Sequence, residues 1–414
     1  MTPRWPARAP ARLAAVGLLA AGLVGGSLLA PAAQAPAAAQ PTGQCDEGIL
    51  LPDRPWALDA LGADEAHELA TGRGVTVAVV DSGVQASNPH FAGDVVLPGI
   101  DVVGIANDAR TDTFGHGTAV AGFIAAQGVD GSGVVGLAPQ ARILPVRVYY
   151  ATGDQADRDG TQLTSARIAA GIRAAADAGA QIIAVAISQY TDDPGIASAV
   201  ADATAAGSLV VASMGNVTED APTPERERFP AAYPGVLAVG SVAEGFVPVP
   251  DQHVGPHADV AAPGVAVPTT HHAGIDCDFG EEGGTTSWAT GYAAAAAALV
   301  AERYPDETPA QWTFRLTATA SRLDPDTHDD TVGWGVVQPW AALTFVDDGT
   351  ARGPDSPTHE RPSEAPSTAP PAVIERPDDP LTRGREVTLW VVLGVGAVVV
   401  CAVLLTRRPS ANRR

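Results

Sequence analysis

Lysine is absent from this sequence of 414 residues, so all 25 cationic side chains are arginine. That excludes a serine–lysine dyad, a Schiff-base amine and the lysine of a phosphate-binding loop. Basic charge is scarce in general: 47 acidic residues leave a formal net charge of −22, which argues against nucleic acid as a partner. Cysteine is limited to Cys45, Cys277 and Cys401. No Gly-x-Ser-x-Gly turn is present, which counts against an α/β-hydrolase, and no internal repeat is visible. What is present, 46% hydrophobic residues with 44 Gly and 35 Pro, permits one large core plus an irregular tail.

The two ends carry targeting patterns. Arg4, Arg8 and Arg12 precede an apolar stretch over 13–29, and Ala37 and Ala39 supply a small-x-small cleavage pattern, so 1–39 reads as a secretory signal. Residues 387–405 are uncharged and long enough to cross a hydrocarbon core of about 30 Å as a helix. Arg407, Arg408, Arg413 and Arg414 follow and place a short tail, 406–414, in the cytoplasm. Between body and span, 349–386 is rich in Pro and charged residues and reads as a semi-extended linker. This leaves an extension, 40–70, and a body, 71–348, outside the membrane. In that oxidising compartment a Cys45–Cys277 disulfide is the natural reading, two free or intermolecularly paired thiols being the alternative.

Within the body, the β-branched run 74–80 has the composition of a fully buried parallel strand and ends in Asp81-Ser82-Gly83. His116, between Gly115 and Gly117, stands where a small-residue helix begins. Further strands are predicted over 143–148, 182–187 and 208–212, alternating with helices over 164–178 and 195–206, which implies a doubly wound parallel sheet with helices on both faces. Asn216 lies just past the last of these strands, where a side-chain amide can donate to a developing oxyanion. Ser287 precedes an alanine-rich helix over 292–303 and so occupies a helix N-terminus. Each residue alone has a bland reading as a turn former, a buried histidine or a cap. Together, Asp, His, Asn and Ser in that chain order have the order of a subtilisin triad with its oxyanion donor.

At these positions the sequence resembles the subtilisin-like serine proteases over about 71–345. The resemblance rests on 79–83 around Asp81, 115–118 around His116 and 286–289 around Ser287, and on 136–139, 229–236, 261–264 and 333–335. It implies an α/β, subtilisin-like fold and acyl transfer at Ser287, with His116 as base, Asp81 orienting it and Asn216 with the Ser287 N–H as oxyanion hole. It also implies a cis bond at Phe229-Pro230 or Tyr233-Pro234, and a substrate-pairing edge at Ser188, Gln189 and Tyr190. With the terminal segments added, the layout resembles the mycosins, membrane-anchored proteases of type VII secretion. The resemblance therefore implies a protein or peptide substrate, association with the secretion membrane complex and no cofactor. Four positions depart from the family pattern: Thr285 replaces a glycine, Gly291 a proline, and Gln189-Tyr190 replace Leu-Gly. These departures support a second expectation, a weak or inactive subtilase body serving as a scaffold. No metal site is legible: 324–326 and 328–330 lack regular ligand spacing and read as solvated turns, and His271-His272 as a surface pair.

Overall fold

The computed structural model describes residues 45, 49–105, 108–218, 223–280, 286–360 and 382–406. The signal 1–39, Thr285, linker residues 361–381 and the tail from 407 onward lie outside them. The chain divides into two units, Met1–Arg361 and Pro362–Arg414.

The first unit opens with two short helices, α1 (Trp56–Ala60) and α2 (Ala63–His67), followed by β1 (Thr76–Asp81), β2 (Ile100–Asp101), α3 (His116–Ala125) and β3 (Arg142–Arg147). Next come α4 (Asp154–Asp159), α5 (Ser165–Asp177), β4 (Ile182–Val185), α6 (Pro194–Ala205), β5 (Leu209–Ser213) and β6 (Val236–Ala243). The unit continues through β7 (Val247–Pro248), β8 (Val260–Pro263), the hairpin β9 (Val267–His271) and β10 (Ile275–Phe279), and α7 (Thr286–Arg303), α8 (Pro309–Ala318) and α9 (Pro339–Thr344). Local chemistry sets several boundaries. The Thr164 hydroxyl accepts from Arg167 N–H, Asp193 accepts from the N–H groups of Gly195 and Ile196 ahead of Pro194, and Thr308 and Gln311 form a reciprocal capping box. Each such cap contributes about 1 kcal/mol by satisfying N–H groups that have no intrahelical partner.

The main sheet runs β2-β3-β1-β4-β5-β6-β7, with β8 also on β6, and all pairs are parallel except β6–β7. Chain direction across the sheet reverses at β1, with β3 on one side and β4 on the other, so the crevice beyond the carboxyl ends of these strands is a topological switch point. Alternate residues of β1 feed two cores. Val77 and Val79 join the cluster with α3 and α7, while Ala78 and Val80 join the cluster with α5 and α6. α7 is buried from Thr286 to Ala301 and packs on α3 and on the face of β4, β5, β6 and β8; its six consecutive alanines, 293–298, let it approach that closely.

The N-terminal extension is fastened to this body. Cys45 and Cys277 form a disulfide with Cα atoms 5.0 Å apart, Leu51 N–H donates to Asp276 Oδ2 at 2.9 Å, and Trp56 Nε1 donates to the carbonyls of Val265 and Ala266. Leu58 and Leu61 are fully buried, each stabilising the contact by roughly 1.5–3 kcal/mol. The His271–His272 pair differs from expectation: both rings are half-buried, 4.2 Å apart, because the β9–β10 turn packs over Gly115. The Phe229–Pro230 bond is the cis bond of its block. In the second unit, α10 (Thr382–Thr406) covers the apolar run 387–405. Among the described residues no helix is long and apolar enough to cross a membrane.

Candidate active site

Asp81 ends β1 and is fully buried. A carboxylate there is tolerable only if its oxygens are hydrogen-bonded. Oδ1 accepts from Ser82 N–H at 2.7 Å and from the Tyr149 hydroxyl at 2.9 Å, and His116 Nδ1 lies 2.9 and 2.8 Å from the two oxygens. Facing a carboxylate, Nδ1 carries the proton, which leaves Nε2 as the acceptor. That Nε2 is buried and has no hydrogen-bond partner among the described residues. Burial foremost, then the charges of Asp81 and Asp112, push the Tyr149 hydroxyl well above its ordinary range, so it remains a donor.

The loop before His116 is built to present it. Gly115 adopts φ +94° as the cap of α3, and buried Asp112 accepts from the N–H groups of Phe114, Gly115 and Thr118 and from the Thr118 hydroxyl. This carboxylate satisfies first-turn donors at the positive end of α3. Gly117 has no room for a Cβ, which would meet the Gly83 carbonyl and the Asp81 side chain. Arg147, fully buried, donates from Nε to the Ser82 carbonyl at 3.0 Å and from Nη2 to the Thr111 carbonyl, tying the Asp81 turn to the His116 loop.

Ser287 is the second residue of α7, and its hydroxyl donates to the Ala186 carbonyl at 2.7 Å. Its own N–H lies in the first helical turn, without an intrahelical acceptor. Asn216 follows β5; its Oδ1 accepts from Thr286 N–H at 3.0 Å and from the Thr286 hydroxyl at 3.3 Å. With Oδ1 so engaged, the amide nitrogen is the free end, and no described residue accepts from it. Thr286 also bonds the Ser213 hydroxyl at 2.6 Å and Gly215 N–H at 3.0 Å, and the Trp288 ring lies 4.8 Å from that of His116. The start of α7 thus joins Asn216 on one side to the His116–Asp81 pair on the other, and all four residues singled out in the sequence meet at the switch point.

The edge at Ser188, Gln189 and Tyr190 is partly occupied. Gln189 N–H and C=O both pair with Phe229, at 2.9 and 2.8 Å, so they are closed to a peptide. The backbone groups of Tyr190 bond no described residue. Arg228 donates to the Ser188 hydroxyl and carbonyl, and the Tyr190 hydroxyl lies 3.2 Å from His253 Nε2. Tyr149, Arg147, Asp112, Thr286 and Arg228 were not singled out from sequence. Thr286 had a visible signal, its position beside Ser287, and Asp112 a local one, its place two to six residues ahead of the groups it caps; the others enter through long-range contacts.

The sequence profile of the Subtilase family matches residues 72–335. Mycosin-1 of Mycolicibacterium smegmatis is 34% identical over 390 residues, covering 84% of each chain. Mycosin-1 of Mycobacterium tuberculosis is 32% identical and covers 86% of each. A solved structure described as a serine protease, MycP1, an essential component of the type VII (ESX-1) secretion system, superposes with a TM-score of 0.63 at 33% identity, covering 75% of this chain and 94% of that one. On this similarity, and on the geometry at the switch point, the chain belongs to the subtilase family of serine proteases and, within it, to the mycosins.

Proposed function

We propose that this serine protease is a membrane-anchored, extracytoplasmic endopeptidase of a type VII secretion system, with Ser287, His116 and Asp81 as its triad. The observation that carries the reading is the buried Asp81–His116 pair, whose Nε2 is unpartnered and whose ring packs on Trp288, the neighbour of Ser287 in the first turn of α7. Ser287 Oγ attacks the scissile carbonyl as His116 Nε2 takes its proton, and the imidazolium, steadied by Asp81, returns that proton to the leaving amine. Asn216 Nδ2 and Ser287 N–H receive the oxyanion. Water then hydrolyses the acyl-enzyme by the same route in reverse. Residues 40–348 act outside the membrane, 349–386 is the tether, 387–405 the span and 406–414 the cytoplasmic end. The partner complex is inferred from the likeness to MycP1.

One observation favours a second reading, a scaffold of low activity: the Ser287 hydroxyl is bonded to Ala186 and not to His116. The two readings separate when a membrane-impermeant fluorophosphonate is applied to spheroplasts expressing the full chain. Labelling of a membrane-fraction band that is lost in Ser287→Ala and His116→Ala establishes the external, activated serine. A folded protein that takes up no probe leaves the scaffold.

A further inference from the structure

Arg228 is 5% exposed, and no carboxylate among the described residues pairs with it. Its Nε and Nη2 are spent on the Ser188 hydroxyl and carbonyl, at 2.9–3.0 Å, and its guanidinium lies 3.8 Å from the centre of the Tyr190 ring. Tyr190 also hydrogen-bonds the guanidinium, so all of its partners are neutral. A second cation, exposed Arg226, lies 4.1 Å from the centre of the same ring. Burying a guanidinium without a counter-charge is costly, and it is an arrangement suited to a planar anion brought by a ligand.

The location ties this charge to the reacting atoms. Gly215, with φ +84°, has its missing side chain aimed at the Ser188 hydroxyl and Arg228 Nε, which a Cβ would meet at 2.7 and 2.9 Å. The guanidinium therefore packs between Ser188 and Gly215, the residue before Asn216, whose N–H bonds the Thr286 hydroxyl. A peptide adding to the backbone of Tyr190, with its scissile carbonyl at Asn216 and Ser287, brings the side chain of that residue toward Arg228. Ser188, Tyr190 and Gly215 surround the guanidinium, and no acidic group among the described residues lies against it.

We propose that Arg228, assisted by Arg226, makes this protease select an acidic side chain, Glu or Asp, on the residue that contributes the scissile carbonyl. This rests on the triad reading above and names the substrate class of the same site. Charge-assisted hydrogen bonds of this kind are worth roughly 10- to 100-fold in discrimination over the uncharged isostere.

The test compares internally quenched peptides that differ only by Glu or Gln at that residue, cleaved by the purified full chain in detergent. The expected kcat/KM ratio, Glu over Gln, is about 10 or more for the wild type and near one for Arg228→Gln, which keeps a donor toward Ser188 without the charge. Should that variant not fold, exposed Arg226→Gln decides, with the ratio expected to fall severalfold. A fluorophosphonate-labelled wild type with a ratio near one, or a ratio unmoved in a folded Arg228→Gln or Arg226→Gln protein, overturns the proposal while leaving the triad standing. Absence of labelling overturns the triad reading itself.

Discussion

At the scale of single residues, one amide illustrates how the site is assembled. Asn216 is held by its oxygen, which accepts from Thr286 N–H and hydroxyl, so its nitrogen is oriented before any substrate arrives. Pre-oriented donors of this kind act on the charge that develops in the transition state and little on the ground state. Asn216→Ala is therefore expected to lower kcat by roughly 10²–10³ with a small change in KM, measured by steady-state kinetics on a peptide ester. An equal rise in KM at unchanged kcat would place Asn216 in ground-state binding instead. The candidacy of Asn216 was visible from its place just past a strand of β-branched residues. Its tether was not, because Thr286 is distant in sequence. The same holds for Tyr149, whose hydroxyl reaches Asp81 across two neighbouring strands.

At the scale of elements, the alternation of apolar strands with small-residue helices was legible, and the observed bounds differ from the expected ones by one or two residues over most elements. The hairpin β9–β10 was not, since a segment such as 267–271 carries no long apolar run and takes its strand form from pairing with 275–279. That hairpin anchors the N-terminal extension through Cys277 and Asp276. A disulfide closing a loop over a sequence separation of 232 residues restricts the unfolded chain strongly. The Cys45→Ser, Cys277→Ser double variant is expected to lose roughly 2–5 kcal/mol, read as a lower denaturant midpoint with a steeper slope, since the released unfolded chain exposes more surface. An unchanged midpoint would mean that Leu51, Trp56 and the buried leucines of α1 hold the extension without it.

At the scale of the whole molecule, stability should vary with pH through groups outside the proposed triad. Burial foremost, then the neighbouring His272, lowers His271 from 6.5 to about 4. The folded protein therefore holds this ring neutral, while the unfolded chain takes up a proton near pH 6.5. This contribution is fully present above that pH and is lost as the pH falls toward 4. Asp259, pushed by burial up to about 6, has the opposite sign: the fold favours its protonated form, and stability falls as the pH rises from 3.8 toward 6. The two oppose each other in the acidic range, so variants are needed to separate them. His271→Gln is expected to lower Tm by a few degrees less than wild type does between pH 7 and pH 5. A parallel pair of Tm curves would remove His271 from the account.

The sequence by itself determined the alternating α/β pattern, the positions of Asp81, His116, Asn216 and Ser287 at strand ends and helix starts, and the apolar and basic patterns at the two ends. These are properties of a few neighbouring residues: side-chain period, backbone freedom at glycine, runs of one polarity. Tertiary structure alone decided that Gln189 is closed by Phe229, that Thr286 clasps Asn216, that Asp276 receives Leu51, and that Arg228 lies buried against Ser188 and Tyr190. A hydrogen bond or a burial across so many residues depends on where the whole sheet brings the chain back. That is set by the packing of both cores, and no local pattern records it.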